Sequence, residues 1–115
     1  MANIYKNAKL DLTTNSATTL YTVPSNSRAI VKAILVSSDN GSATTITVDL
    51  FAGDPAASAA KFTLFKVKAI GANASEQLLT EPLIMLENEV LQVTAADANR
   101  LFVIASILEI NREDK

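Results

Sequence analysis

Apolar and β-branched residues recur at every second position through most of this chain, in short runs separated by Asn, Asp, Gly, Ser and Pro. That period of two predicts strands throughout. Two of the clearest runs, residues 18–23 and 28–37, flank the turn-prone sequence Pro24-Ser25-Asn26-Ser27 and predict a β-hairpin with those four residues as its loop. Pairing outward from the loop sets Thr22 opposite Ala29 and Leu20 opposite Val31. Leu20, Val31, Ala33 and Leu35 then form the core face, while Tyr21, Ile30, Ile34 and Val36 share the other face with Arg28 and Lys32. A face that apolar needs partial cover of its own.

The flanking segments extend this sheet. Ile4, Leu10 and Leu12 predict one short strand or a strand pair before an Asn15-Ser16 turn. Asp39-Asn40-Gly41-Ser42 predicts a tight turn, because Asn and Gly tolerate positive φ. After it Ile46, Val48 and Leu50 alternate with Thr45, Thr47 and Asp49, one face apolar and one suited to water. Residues 53–60 read as a surface loop with a helical turn after Pro55. Residues 62–70 return to strand character with a change of phase that predicts a bulge near Leu64. Gly71 to Ser75 turns the chain, and residues 77–80 form a short strand that ends before Pro82. Residues 83–86 and 90–95 predict a second hairpin about Glu87-Asn88-Glu89, with Asn88 left-handed. Beyond the Asp97-Ala98-Asn99 turn, a last strand from Arg100 to about Ile110 is apolar on both faces: Phe102, Ile104, Leu108 and Ile110 on one, Leu101, Val103, Ala105 and Ile107 on the other.

Roughly eight or nine strands without a convincing helix predict an all-β fold, an antiparallel β-sandwich of jelly-roll type. In-phase alternation assigns Leu20, Val31, Leu35, Ile46, Val48, Val67, Val93 and Ile104 to the core. The 115 residues read as a single domain, with an extended amino-terminal segment over residues 1–15 and a polar tail over residues 111–115. The two-sided final strand implies cover from a neighbouring subunit. Leu101, Val103, Ile107, Tyr21, Ile30 and Ile34 are the predicted interface residues, and a trimer or ring would bury them with closed symmetry.

Composition narrows the chemistry. The chain has neither cysteine nor histidine, so a disulfide framework, a thiolate or imidazole metal site and the usual general base near neutral pH are all missing. No catalytic residue, metal ligand or cofactor site is assigned, and no enzymatic activity is expected. Ten basic against twelve acidic residues offer no charge excess suited to a nucleic-acid backbone. No amino-terminal signal segment is evident, and no apolar run reaches membrane-spanning length. Hydrophobic residues make up 49% of the chain and charged ones 19%, more apolar than a free-standing domain of this size needs, which suggests surface buried against other protein.

The remaining polar groupings have plain readings. Asp39, Asp97 and Asn99 offer oxygen ligands of the kind calcium takes, yet Asp and Asn are turn formers first. Glu87 and Glu89 flank a solvated turn rather than facing each other across a cleft. Lys61, Lys66 and Lys68 fit the lysines that keep a sheet edge from pairing with another chain. Asn40-Gly41-Ser42 and Asn73-Ala74-Ser75 match the glycosylation pattern and mark surface turns.

Two phrases, LYTVPSNSRAIVKAILVSSDNGSATTITVDLF at 20–51 and LLTEPLIMLENEVLQVTAADANRLFVIASILEI at 78–110, resemble small structural proteins of tailed bacteriophages, especially those of marine and cyanobacterial phages. The resemblance implies a β-sandwich virion component: a head decoration or cement protein, or a neck- or tail-associated protein. Its partners would be other copies of itself and phage capsid, neck or tail proteins, assembled in the bacterial host cytoplasm. It carries over no site residue. A carbohydrate- or receptor-binding sandwich on a phage tail is the alternative from another class.

Overall fold

The computed structural model describes residues 2–111. Nine strands, β1 (Ala2–Leu12), β2 (Thr18–Thr22), β3 (Ser27–Ser38), β4 (Thr44–Phe51), β5 (Lys61–Ile70), β6 (Ser75–Gln77), β7 (Leu83–Met85), β8 (Val90–Ala95) and β9 (Leu101–Asn111), form two antiparallel sheets. The first sheet runs β1-β9-β3-β6, with β7 also paired to β3, and the second runs β2-β8-β4-β5. This is jelly-roll connectivity, with the sixth of eight strands split into β6 and β7 around Leu78 to Pro82.

That topology replaces both predicted hairpins. β2 pairs with β8 while β3 pairs with β9, β6 and β7, so Pro24 to Asn26 bridges the two sheets rather than turning within one. Thr22 lies opposite Val90, and Ala29 opposite Met85 and Glu109. β7 and β8 likewise belong to different sheets, and the link between them crosses the sandwich. Asn88 is left-handed there (φ 67°), as expected. The 39–42 turn also crosses between sheets and uses no positive φ; Asn40 Oδ1 accepts from Ser42 N at 2.9 Å instead. Only β4 and β5 are neighbours both in sequence and in pairing, joined through a short 3-10 turn, Pro55–Ala57, which Asp54 caps.

The core lies between the sheets. Val31, Ile34, Val36, Leu101 and Val103 from the first meet Ile46, Val48, Leu91 and Val93 from the second, all fully buried. A side chain of that size contributes roughly 1.5 to 3 kcal/mol on burial. Four bulges, on three strands, alter which residues face inward. Between Val31 and Ala33 the β3–β9 register slips by one at Lys32, so Ile34 and Val36 turn into the core and Leu35 turns half out. At Leu20 the β2–β8 register slips, and Leu20 and Tyr21 both end up buried. β5 carries the predicted irregularity at Leu64 and another at Lys66 to Val67, where Val67 is left-handed (φ 52°) and 58% exposed.

Five of the eight predicted core residues, Leu20, Val31, Ile46, Val48 and Val93, are buried. Leu35, Val67 and Ile104 are not. The first two are turned outward by bulges, and Ile104 sits on the outer face of β9 at 41% exposure. Residues 2–12 of the predicted extended segment form one uninterrupted strand paired along its length with β9. Asn111 belongs to β9, and the rest of the predicted tail lies outside the described residues. Asp49, expected in water, is 8% exposed between Gln92 and Thr63, with Oδ1 lacking a hydrogen-bond partner.

Candidate functional site

The most distinctive surface is the outer face of the first sheet. On β9, Leu101, Val103, Ala105, Ile107 and Glu109 point into the sandwich, so Phe102, Ile104, Leu108 and Ile110 point away from it. Strand register carries this apolar character sideways. Tyr5 lies opposite Leu108, Leu108 opposite Ile30, and Ile30 opposite Ile84, a row of four large side chains across β1, β9, β3 and β7. Tyr5 is 76% and Ile84 65% exposed. Ile104 and Leu35, paired across β9 and β3, add a parallel apolar row. Cations border the face. Lys32 places Nζ 6.0 Å from the Tyr5 ring centroid, and Arg28 pairs with Glu87 at 3.4 Å.

Of the six predicted interface residues, only Ile30 lies on this face. Leu101, Val103, Ile107, Tyr21 and Ile34 are all buried within the sandwich. For Tyr21 and Ile34 the cause is the neighbouring bulge. For the β9 residues it is the choice of face, since both are apolar and alternation assigned Ile104, on the opposite face, to the core.

That glutamate is the residue sequence reasoning missed. Glu109 is 4% exposed, and its Oε2 accepts from the Tyr21 hydroxyl at 2.5 Å and from Lys6 Nζ at 3.4 Å. Tyr21 belongs to the second sheet and Glu109 to the first, so the bond ties the two layers together. Burial, and then the Glu109 carboxylate, push the Tyr21 phenol well above its ordinary range. The Lys6 ammonium sits 5.8 Å from the Tyr21 ring centroid and neutralises the carboxylate. A Lys, Tyr and Glu each on a separate strand leave no spacing motif by which they could have been found.

The other polar groupings serve the fold. Asp97 Oδ2 accepts from Thr44 Oγ1 at 2.7 Å and pairs with Arg100 at 3.5 Å, fastening the β8–β9 turn to β4. Glu89 Oε1 accepts from Leu86 N at 2.8 Å. Among the described residues no three acidic side chains gather at one point. Lys61, Lys66 and Lys68 lie on β5, an edge strand. The outer face of the second sheet is polar, with Gln92 Nε2 donating to Thr19 Oγ1. A depression of about 410 Å³ there is lined by Thr19, Thr22, Asp54, Pro55, Asn88 and Val90, without an aromatic ring on which a sugar would stack.

No protein-family model matches the chain, and no curated protein matches it in sequence. Solved structures do share its architecture. A chain from the acid-stable capsid of Helicobacter pylori bacteriophage KHP30 is similar over 96% of this chain and 89% of its own length, at 13% identity and a TM-score of 0.57. A chain from the structure of infectious bursal disease virus, Gx strain, is similar over 94% of this chain but only 28% of its own, at 7% identity and a TM-score of 0.51. A chain from the capsid of cyanophage Pam1 is similar more loosely, at 20% identity and a TM-score of 0.48. The fold is thus a jelly roll of a form that viral particle proteins also use.

Proposed function

We propose that this protein is a non-enzymatic structural component of a bacteriophage particle, a decoration, cement, neck or tail-associated subunit that works by protein–protein contact through the outer face of its first sheet. The observation that carries this reading is the row Tyr5, Leu108, Ile30 and Ile84, running across four strands with Tyr5 and Ile84 exposed and Leu108 and Ile30 half-buried in the single chain. A face of that kind fits burial against protein. The jelly-roll fold and the phrase-level resemblance to phage structural proteins support the choice of a virion over other assemblies. The carboxylates support a structural role, since Glu89, Glu109 and Asp97 are engaged in contacts that hold the fold.

Quantitative mass spectrometry of purified particles tests this. The protein should copurify at a fixed ratio to the major capsid protein, hundreds of copies marking a coat and a dozen or so a collar or tail ring. Leu108→Asp and Ile84→Asp should reduce that ratio while the isolated variants keep their β far-ultraviolet spectrum. Absence from particles, or undiminished incorporation of both variants, contradicts the reading.

A further inference from the structure

The sheet edges of this molecule are unequally guarded. β5 closes one edge of the second sheet with two bulges, a left-handed Val67 and three lysines, all devices that prevent a further strand from adding. β2, β6 and β7 are short. β1 carries two lysines, Lys6, which is drawn back to Glu109 of its own sheet, and Lys9, but it has no bulge and no left-handed residue. It is an edge strand of 11 residues whose pairing with β9 runs from Ala2↔Asn111 to Leu12↔Leu101 without a break. Its free edge presents a straight ladder of backbone donors and acceptors.

We infer that β1 pairs antiparallel with β1 of a second copy about a two-fold axis through Asn7, joining the first sheets of two molecules into one continuous sheet. A two-fold perpendicular to the sheet keeps inner faces with inner faces and requires the central residue to oppose itself, which limits the registers to those centred on a residue. Charge selects among them. Centring on Lys6 or Lys9 sets like charges directly opposite, and centring on Asp11 does the same. Centring on Ala8 sets Lys6 opposite Leu10 of the partner.

Centring on Asn7 uses the whole strand. Ile4, 40% exposed on the inner side, meets Leu10 of the partner, and Lys6 meets Ala8. On the outer side Tyr5, 76% exposed, meets the Lys9 ammonium, a cation–π pairing like the one Lys32 already makes in its own chain. Asp11 meets Asn3. No like charges oppose, and both exposed large apolar residues of β1 gain cover. The occupant is therefore a second copy of this chain, and the inference stands whether or not the protein belongs to a virion.

The absence of cysteine from the sequence makes single-cysteine cross-linking a clean test on the purified protein. Directly opposed residues of antiparallel strands lie within disulfide reach. Asn7→Cys should oxidise to a covalent dimer in at least about tenfold higher yield than Asn3→Cys or Asp11→Cys alone, because only Asn7 meets itself and gains the local concentration of the paired state. Asn3→Cys mixed with Asp11→Cys should cross-link to each other. All three positions are exposed, and an unchanged far-ultraviolet spectrum checks that each variant is folded. Equal yields at all three positions, or a folded Asn7→Cys that stays monomeric in the oxidising buffer, would overturn the inference. Contact through the outer sheet face alone gives that negative result while leaving particle incorporation intact, so the two ideas fail separately.

Discussion

Tyr21 and Glu109 show how much one pair of side chains can settle. Their bond links the two sheets inside the sandwich, where a hydrogen bond to a charged group contributes more than a neutral one. Tyr21→Phe should cost roughly 1 to 3 kcal/mol at neutral pH in a urea titration, since it leaves the buried carboxylate with Lys6 as its remaining side-chain partner. The raised phenol also fixes a pH dependence. Below about pH 10 the phenol is neutral in folded and unfolded chains alike, and its contribution is complete. Above that the unfolded phenol ionises while the folded one does not, so stability falls as pH rises toward the folded pKa. Melting temperatures from pH 8 to 11 should show this decline in the natural protein and a flatter profile in Tyr21→Phe. Equal slopes would contradict the assignment. None of this was legible in the sequence, where Tyr21 alternated onto the wrong face and nothing marked Glu109 as its partner.

Strands were the legible level, and bulges were where legibility failed. The alternation in residues 45–50 and 90–95 needed only a period of two. The phase change that predicts a bulge at Leu64 was visible because Phe62 and Leu64 conflict with Phe65 and Val67. In β3 every residue from Ala33 to Val36 is apolar, so a one-residue slip at Lys32 leaves no trace in hydropathy. Truncation reads it directly. Ile34→Ala should cost about 2 to 5 kcal/mol and Leu35→Ala less than half as much, the reverse of what unbroken alternation from Val31 predicts. The second bulge of β5 holds a β-branched residue at φ 52°, a conformation that costs on the order of 1 to 3 kcal/mol. Val67→Gly relieves it at a mostly exposed site, so its denaturation midpoint should rise. A lowered midpoint would mean that the Val67 side chain contributes more than its backbone costs.

In the molecule as a whole, the sandwich was readable and its wiring was not. A short polar link between two amphipathic strands looks the same whether the chain turns back within one sheet or crosses to the other. In this jelly roll the links at 24–26, 39–43 and 86–89 all cross. Reading them as hairpins misplaced neighbours while leaving the strands correct. Both faces of β9 are apolar, and the inner one was read as the subunit interface while Ile104 on the outer one was placed in the core, because hydropathy alone does not rank two apolar faces. The opposite face, outward on the first sheet, is the proposed contact surface. Hydroxyl-radical footprinting of the free protein against purified particles reads this most directly. Tyr5, Leu108 and Ile84 should lose most of their labelling on assembly, while Phe62 on β5 of the second sheet, 55% exposed, keeps its own. Unchanged labelling of Tyr5, Leu108 and Ile84 in particles that contain the protein would contradict it.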